Sequence, residues 1–209
     1  RKVLRCYQRD IARFVHAQMI AHRWEEASGY EVKVNKGFSD LKPGAYSAGV
    51  REAAMPYGQP PEDKSNMARY VFTGFRRCLY DAEKFQSDPE RRLAVILDRD
   101  AIKWFRPRMG QFQIWYPDGN EQREYQPDFV AEDTDAVFMI EAKAANQMDD
   151  KGVLAKRDAA LAWCRNASEF TATYGGKPWT YVLIPHDQVA ENRTLTGLVA
   201  IHRVRQAAG

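Results

Sequence analysis

Tyr125-Gln126-Pro127-Asp128-Phe129-Val130-Ala131-Glu132-Asp133-Thr134-Asp135-Ala136-Val137-Phe138-Met139-Ile140-Glu141-Ala142-Lys143 decides how the chain folds. Phe129 to Ala131 and Ala136 to Ile140 have strand composition, and Glu132 to Asp135 between them are polar. Two strands joined by so short a polar link predict a hairpin. If the turn centres between Thr134 and Asp135, paired residue numbers add to 269, and Asp128 faces Glu141. Directly opposed residues in an antiparallel pair have Cβ atoms about 4.5–5.5 Å apart. Side chains alternate, so Val137, Met139, Glu141 and Lys143 share one face, while Phe138 and Ile140 take the other. Apolar residues on both faces predict a central, covered strand. Like charges opposed in a sheet are destabilising, so Asp128 and Glu141 need a reason to meet. A divalent cation is the obvious one.

The rest of the 209-residue chain has room for one large domain, or one domain with an accessory region. Its hydrophobic content of 44% allows a real core. The net charge of +3 says little about partners, but its distribution says more. Residues 117–150 carry ten acids (Asp118, Glu121, Glu124, Asp128, Glu132, Asp133, Asp135, Glu141, Asp149, Asp150) against Arg123 and Lys143. Residues 151–177 carry Lys151, Lys156, Arg157, Arg165 and Lys177 against Asp158 and Glu169. An acidic hairpin followed by a basic helix suits a metal site facing a polyanion; two solvated faces are the plainer reading. Cys6, Cys78 and Cys164 have no metal-binding spacing and suggest free thiols in a reducing cytosol. There is no signal peptide and no apolar run near 18 residues, so a soluble, cytoplasmic chain is expected. A start at Arg1 suggests a fragment or processed piece of something longer.

In chain order, residues 2–25 predict a helix with a basic outer surface, and Tyr30 to Val34 a strand. Residues 36–66, rich in Gly, Pro, Ser and charge, suggest a lid or connector. Arg69 to Tyr80 interleaves aromatics with Arg76 and Arg77. That mixture can bind nucleic acid, but core plus surface is the more economical reading. Ser87 to Asp98 is a well-marked helix, with Ser87 as N-cap, Pro89 in the first turn and Glu90 completing a Ser-x-x-Glu capping box. Glu90 shares a helix face with Leu93 and Leu97, so it points to the core rim, where a carboxylate wants a cation or a hydrogen bond. Cap and metal ligand both stay open for it. Further on, Gln111 to Tyr116 predicts a strand, Pro117 to Asn120 a turn, about 150–173 a helix, Trp179 to Ile184 a strand, and the chain from about Gln188 a helix. Helix, strand, strand, strand, helix, strand describes a mixed α/β layer.

Carboxylates converging in one site make an oxygen-rich cage that hard ions such as Mg²⁺ prefer. A bound ion can activate water and neutralise charge on a phosphate. Lys143 can orient or deprotonate the attacking water, or stabilise the pentavalent phosphate. An exposed Glu141–Lys143 strand pair is the bland alternative.

Pro127-Asp128, a gap of twelve, then Glu141-Ala142-Lys143 resembles the PD-(D/E)xK nuclease signature. VFTGFRRCLYDAEKFQSDPERRLAVIL (71–97), KWFRP (103–107), YQPDFV (125–130), IEAK (140–143), LAWCRNAS (161–168) and KPWTYVLIPHD (177–187) resemble the C-terminal endonuclease region of type III restriction enzyme restriction (Res) subunits and related DEAD/DEAH-like helicase-nucleases. The resemblance covers about 65–209 well and the first 65 residues, including VNKGFSDL at 34–41, more loosely. It implies an α/β (α+β) fold of restriction-endonuclease type, a central mixed β-sheet flanked by helices. It suggests an N-terminal accessory or linker region over 1–85 and a nuclease domain over 86–209. Glu90, Asp128 and Glu141 would be the metal-binding acids, Ala142 would offer its backbone carbonyl, and Lys143 would be the catalytic lysine. Lys156 and Arg157 would contact the DNA backbone. The implied reaction is Mg²⁺-dependent hydrolysis of a DNA phosphodiester, leaving a 3′-hydroxyl and a 5′-phosphate, with Mn²⁺ as a substitute ion. Implied partners are double-stranded DNA, a helicase/ATPase motor of the same protein, a modification (methyltransferase) subunit, and a second copy for double-strand cleavage. The chain has no phosphate-cradling GxxxxGK[ST] loop, so it should not hydrolyse ATP. A catalytically weak nuclease-fold module that binds DNA or partner subunits is the alternative, and a purely structural domain the second.

Overall fold

The computed structural model describes residue 13 and residues 41–43, 54–112, 114–118 and 121–204. The chain divides into two compact units, Arg1–Lys33 and Val34–Gly209. The helix expected over 2–25, the strand over Tyr30 to Val34, and much of the 36–66 connector lie outside the described residues.

The strands of the second unit are β1 (Ala54–Pro56), β2 (Val71–Thr73), β3 (Ala82–Glu83), β4 (Lys103–Phe105), β5 (Ile114–Asp118), β6 (Glu121–Tyr125), β7 (Phe129–Glu132), β8 (Val137–Lys143) and β9 (Trp179–Pro185). Its helices are α1 (Asp88–Asp100), α2 (Lys151–Ala172) and α3 (Leu195–His202). A mixed sheet in the order β4-β7-β8-β9 forms the centre. The β4–β7 and β7–β8 pairs are antiparallel, and β8–β9 is parallel. A parallel pair needs a crossover connection, and α2 supplies it. Two smaller sheets, β1-β2-β3 and β5-β6, accompany the central one.

The hairpin forms in the expected register. Phe129 pairs with Ile140, Val130 with Met139, Ala131 with Phe138 and Glu132 with Val137, each adding to 269. Asp133 makes the turn: its Oδ1 accepts from the amides of Asp135 and Ala136, both at 2.8 Å. A side-chain oxygen that mimics a backbone acceptor is why Asp favours such turns. Glu132, the first residue of the expected turn, belongs to the strand instead.

The sheet is covered on both faces. Phe129, Ala131, Phe138, Ile140, Ala142, Val182 and Ile184 form one core with Leu93, Ala94, Ile96 and Leu97 of α1 and Leu195 and Leu198 of α3. Val130, Met139, Tyr181 and Leu183 form the other with Ala160 and Cys164 of α2. Burying a Leu side chain such as Leu93 or Leu97 contributes about 2 kcal/mol.

Helix α1 starts as its sequence dictates. Ser87 is extended, its Oγ accepts from the Glu90 amide, and Pro89 occupies the first turn. Lys103 to Phe105 is a further sheet strand, which the sequence does not announce because three residues are too few to show a period. Two expectations need correction. Pro117 and Asp118 continue β5 instead of turning, because β5 and β6 pair in register out to Asp118 and Glu121. The last helix begins at Leu195, where the Thr194 side chain caps it by accepting from the Gly197 amide at 3.1 Å.

Candidate active site

The site sits where β7 begins and β8 ends. Asp128 directly precedes the last ladder pair, Phe129 with Ile140, and its Oδ2 accepts from the Ala142 amide at 2.9 Å, beside Glu141. Strand β8 is central, so Glu141 is only 3% exposed. Its Oε1 pairs with the Lys143 ammonium at 2.7 Å, and its Oε2 accepts from the Tyr125 hydroxyl at 2.8 Å. Burial pushes the Glu141 carboxyl up to about 7, and the Asp128 charge pushes the same way. Lys143 and the Tyr125 hydroxyl pull against them. Burial draws the Lys143 ammonium down, but Glu141 first, then Asp128 and Glu90, holds it above its ordinary value. Two carboxylates and a lysine therefore share one strongly coupled, water-poor site, and such clusters gather at functional positions.

Glu90 borders the site without joining this carboxylate pair. Its Oε1 accepts from the Ser87 hydroxyl at 3.2 Å. Its Oε2 accepts from the Gln86 amide at 3.2 Å and pairs with Arg106 at 3.0 Å. Ser87 caps the Glu90 amide, while the Glu90 carboxylate reaches back to the Ser87 hydroxyl and the Gln86 amide instead of the Ser87 amide of a full capping box; an arginine supplies the cation the buried carboxylate needed. Glu90 lies near enough for its charge to act on Lys143.

Three of the other hairpin acids are engaged elsewhere. Glu132 pairs with Lys103 at 2.9 Å and Lys177 at 2.7 Å, Asp133 holds the turn, and Asp118 pairs with Arg123 at 3.0 Å. Lys156 and Arg157 lie in the second turn of α2, which begins a short link after Lys143. The Lys156 ammonium stands 5.5 Å from the centroid of the Tyr116 ring, and Arg157 pairs with Asp158 at 2.8 Å.

Two contributors were not foreseen. Tyr125 ends β6, paired with Ile114, and reaches Glu141 through its hydroxyl. Arg106 ties Glu90 to the Asp128 backbone. The one signal for Arg106 was an arginine set between Phe105 and Pro107, because a buried polar residue is the informative exception.

Among the described residues, no group of three or more His, Cys, Asp or Glu side chains is arranged to hold a metal. Two carboxylates suffice for Mg²⁺, which keeps several waters and binds through one or two carboxylates plus substrate phosphates. Asp128, Glu141 and the Ala142 carbonyl would offer hard-oxygen donors, and a cation there would offset the burial and the Asp128 charge that push the Glu141 carboxyl up. The residues present fit such an ion. No family model, curated protein or solved structure matches the chain. Among the described residues no helix is long and apolar enough to cross a membrane.

Proposed function

We propose that this chain carries a Mg²⁺-dependent endodeoxyribonuclease site with a PD-(D/E)xK core, part of a larger type III restriction or helicase-nuclease protein. The observation that carries the reading is the Asp128–Glu141–Lys143 cluster at the end of a covered central strand. Counting only the central sheet and its helices, the chain order α1-β4-β7-β8-α2-β9 is compatible with the fold the sequence resemblance implies.

In this reading Asp128 and Glu141 hold the metal, with the Ala142 carbonyl as a third oxygen. The ion would lower the pKa of water and neutralise charge on the phosphate. The chain's own groups do the rest. Lys143 pairs with Glu141 at 2.7 Å, which limits carboxylate repulsion. Released from Oε1, its ammonium is placed to orient the attacking water or meet charge on the phosphoryl oxygens. The Tyr125 hydroxyl keeps Glu141 in one rotamer. Lys156 and Arg157 would hold the DNA backbone, contacts that position the duplex without reading sequence.

Plasmid cleavage with Mg²⁺ or Mn²⁺ tests the reading. Asp128→Ala and Lys143→Ala should abolish cutting while DNA binding persists. Cleavage by those variants at the parent rate would refute the assignment. One observation favours a second reading, a nuclease-fold module that cleaves weakly by itself. Both Glu141 oxygens are engaged by protein donors, so opening the site would then depend on a partner domain. That reading is supported if cutting appears only when the motor domain is added.

A further inference from the structure

We propose that Arg106 is a positioning residue of this site, with Glu90 as its counter-ion; the proposal rests on the nuclease reading. Asp128 lies one residue outside the β7–β8 ladder, whose last pair is Phe129 with Ile140. Something else must hold its backbone. The Arg106 Nε donates to the Asp128 carbonyl at 3.3 Å, its Nη2 pairs with Glu90 Oε2 at 3.0 Å, and its Nη1 donates to the Lys84 carbonyl. The guanidinium carbon is 5.2 Å from the Phe129 ring centroid and 5.4 Å from that of Phe85. Aromatic walls and three acceptors in three directions leave the fork one orientation.

Asp128 is thus fixed at two points. Arg106 holds its backbone, and the Ala142 amide holds its carboxylate. A lysine cannot reproduce this, because its ammonium is a point charge without a planar fork. The guanidinium is largely buried, its side chain 16% exposed. A buried charge left without its partner is strongly unfavourable, which gives Glu90 a purpose beside the cap. Glu90 serves the site through Arg106 instead of touching the metal.

Calorimetric titration of Mn²⁺ into the chain tests this, using Arg106→Gln, Arg106→Lys, Glu90→Gln and the Glu90→Gln/Arg106→Gln pair. Loss of a residue that orients a metal ligand weakens binding by about 10–100-fold. Arg106→Gln should show that loss, Arg106→Lys a smaller one, and the double variant no more than Arg106→Gln. In plasmid cleavage Arg106→Gln should lower kcat with KM for DNA within about twofold, and excess Mn²⁺ should restore the rate. A mere folding defect gives no such recovery. Should Arg106→Gln fail to fold by circular dichroism, Arg106→Lys decides by the same criteria. The proposal is overturned if the folded Arg106 variants bind Mn²⁺ like the parent. It is also overturned if the double variant loses the product of the two single losses, as an independent Glu90 ligand would require. No Mn²⁺ uptake by the parent chain would instead defeat the nuclease reading, and this proposal with it.

Discussion

Replacing Glu141 by Gln should change how stability depends on pH. The carboxyl is almost wholly buried beside Asp128, and its pKa rises from 4.5 to about 7. The folded state therefore keeps its proton at pH values where the unfolded state has lost it. A raised acid pKa gives stability that is complete below about pH 4.5 and lost as pH rises through about 7. At ~1.4 kcal/mol per tenfold difference in proton affinity, the loss is about 3 kcal/mol. Glutamine is nearly isosteric, still accepts from the Tyr125 hydroxyl, and has nothing to ionise. Urea unfolding followed by tryptophan fluorescence, from pH 5 to pH 8, would measure both proteins in metal-free buffer. Relative to the parent, Glu141→Gln should gain about 2.5 kcal/mol across that range. The steepest change should fall between pH 5 and pH 7. A difference that stays constant with pH would refute the claim that Glu141 is a strained, desolvated carboxylate.

The same structure sets four further expectations. Mg²⁺ or Mn²⁺ should raise the melting temperature more at pH 8 than at pH 6, because ligation requires the ionised carboxylate; scanning fluorimetry at the two pH values measures it. Asp98 accepts from the amides of Arg76 and Arg77 and from the Trp104 indole at 2.8–3.1 Å; Asp98→Ala should cost about 2–4 kcal/mol in chemical denaturation by leaving those buried donors unsatisfied. Ser87→Ala should cost about 1 kcal/mol through the lost α1 cap, measured the same way. Lys156→Ala should weaken DNA binding across sequences and lower the slope of log affinity against log salt by about 1, as fluorescence anisotropy would read.

The hairpin was legible because its register depends on local chemistry: a short polar turn, an Asx acceptor at Asp133, and apolar runs of alternating face. One residue of slip would have moved Glu141 to the opposite face of the sheet, so the 269 sum fixed the carboxylate pair as well. The α1 start was legible for the same reason, since Ser87, Pro89 and Glu90 act within one turn. The destination of the Glu90 carboxylate was not. Its partner Arg106 directly follows the strand after the helix, and nothing local joins them. Tyr125 was hidden because the β5–β6 hairpin extends through Pro117, a residue that signals a turn unless its missing amide faces away from the ladder. Much of the apparent acidity of the hairpin was misleading in the other direction. Glu132 and Asp118 meet lysines and an arginine that composition alone does not pair with them.

The most direct measurement is anomalous diffraction from a crystal of this chain soaked with Mn²⁺ at pH 8. We expect a single strong peak about 2.0–2.4 Å from oxygens of both Asp128 and Glu141, with the Lys143 ammonium displaced from Glu141 Oε1. A fully soaked crystal with no ion there, and with Lys143 still seated on Glu141, would contradict the proposed metal-dependent nuclease site.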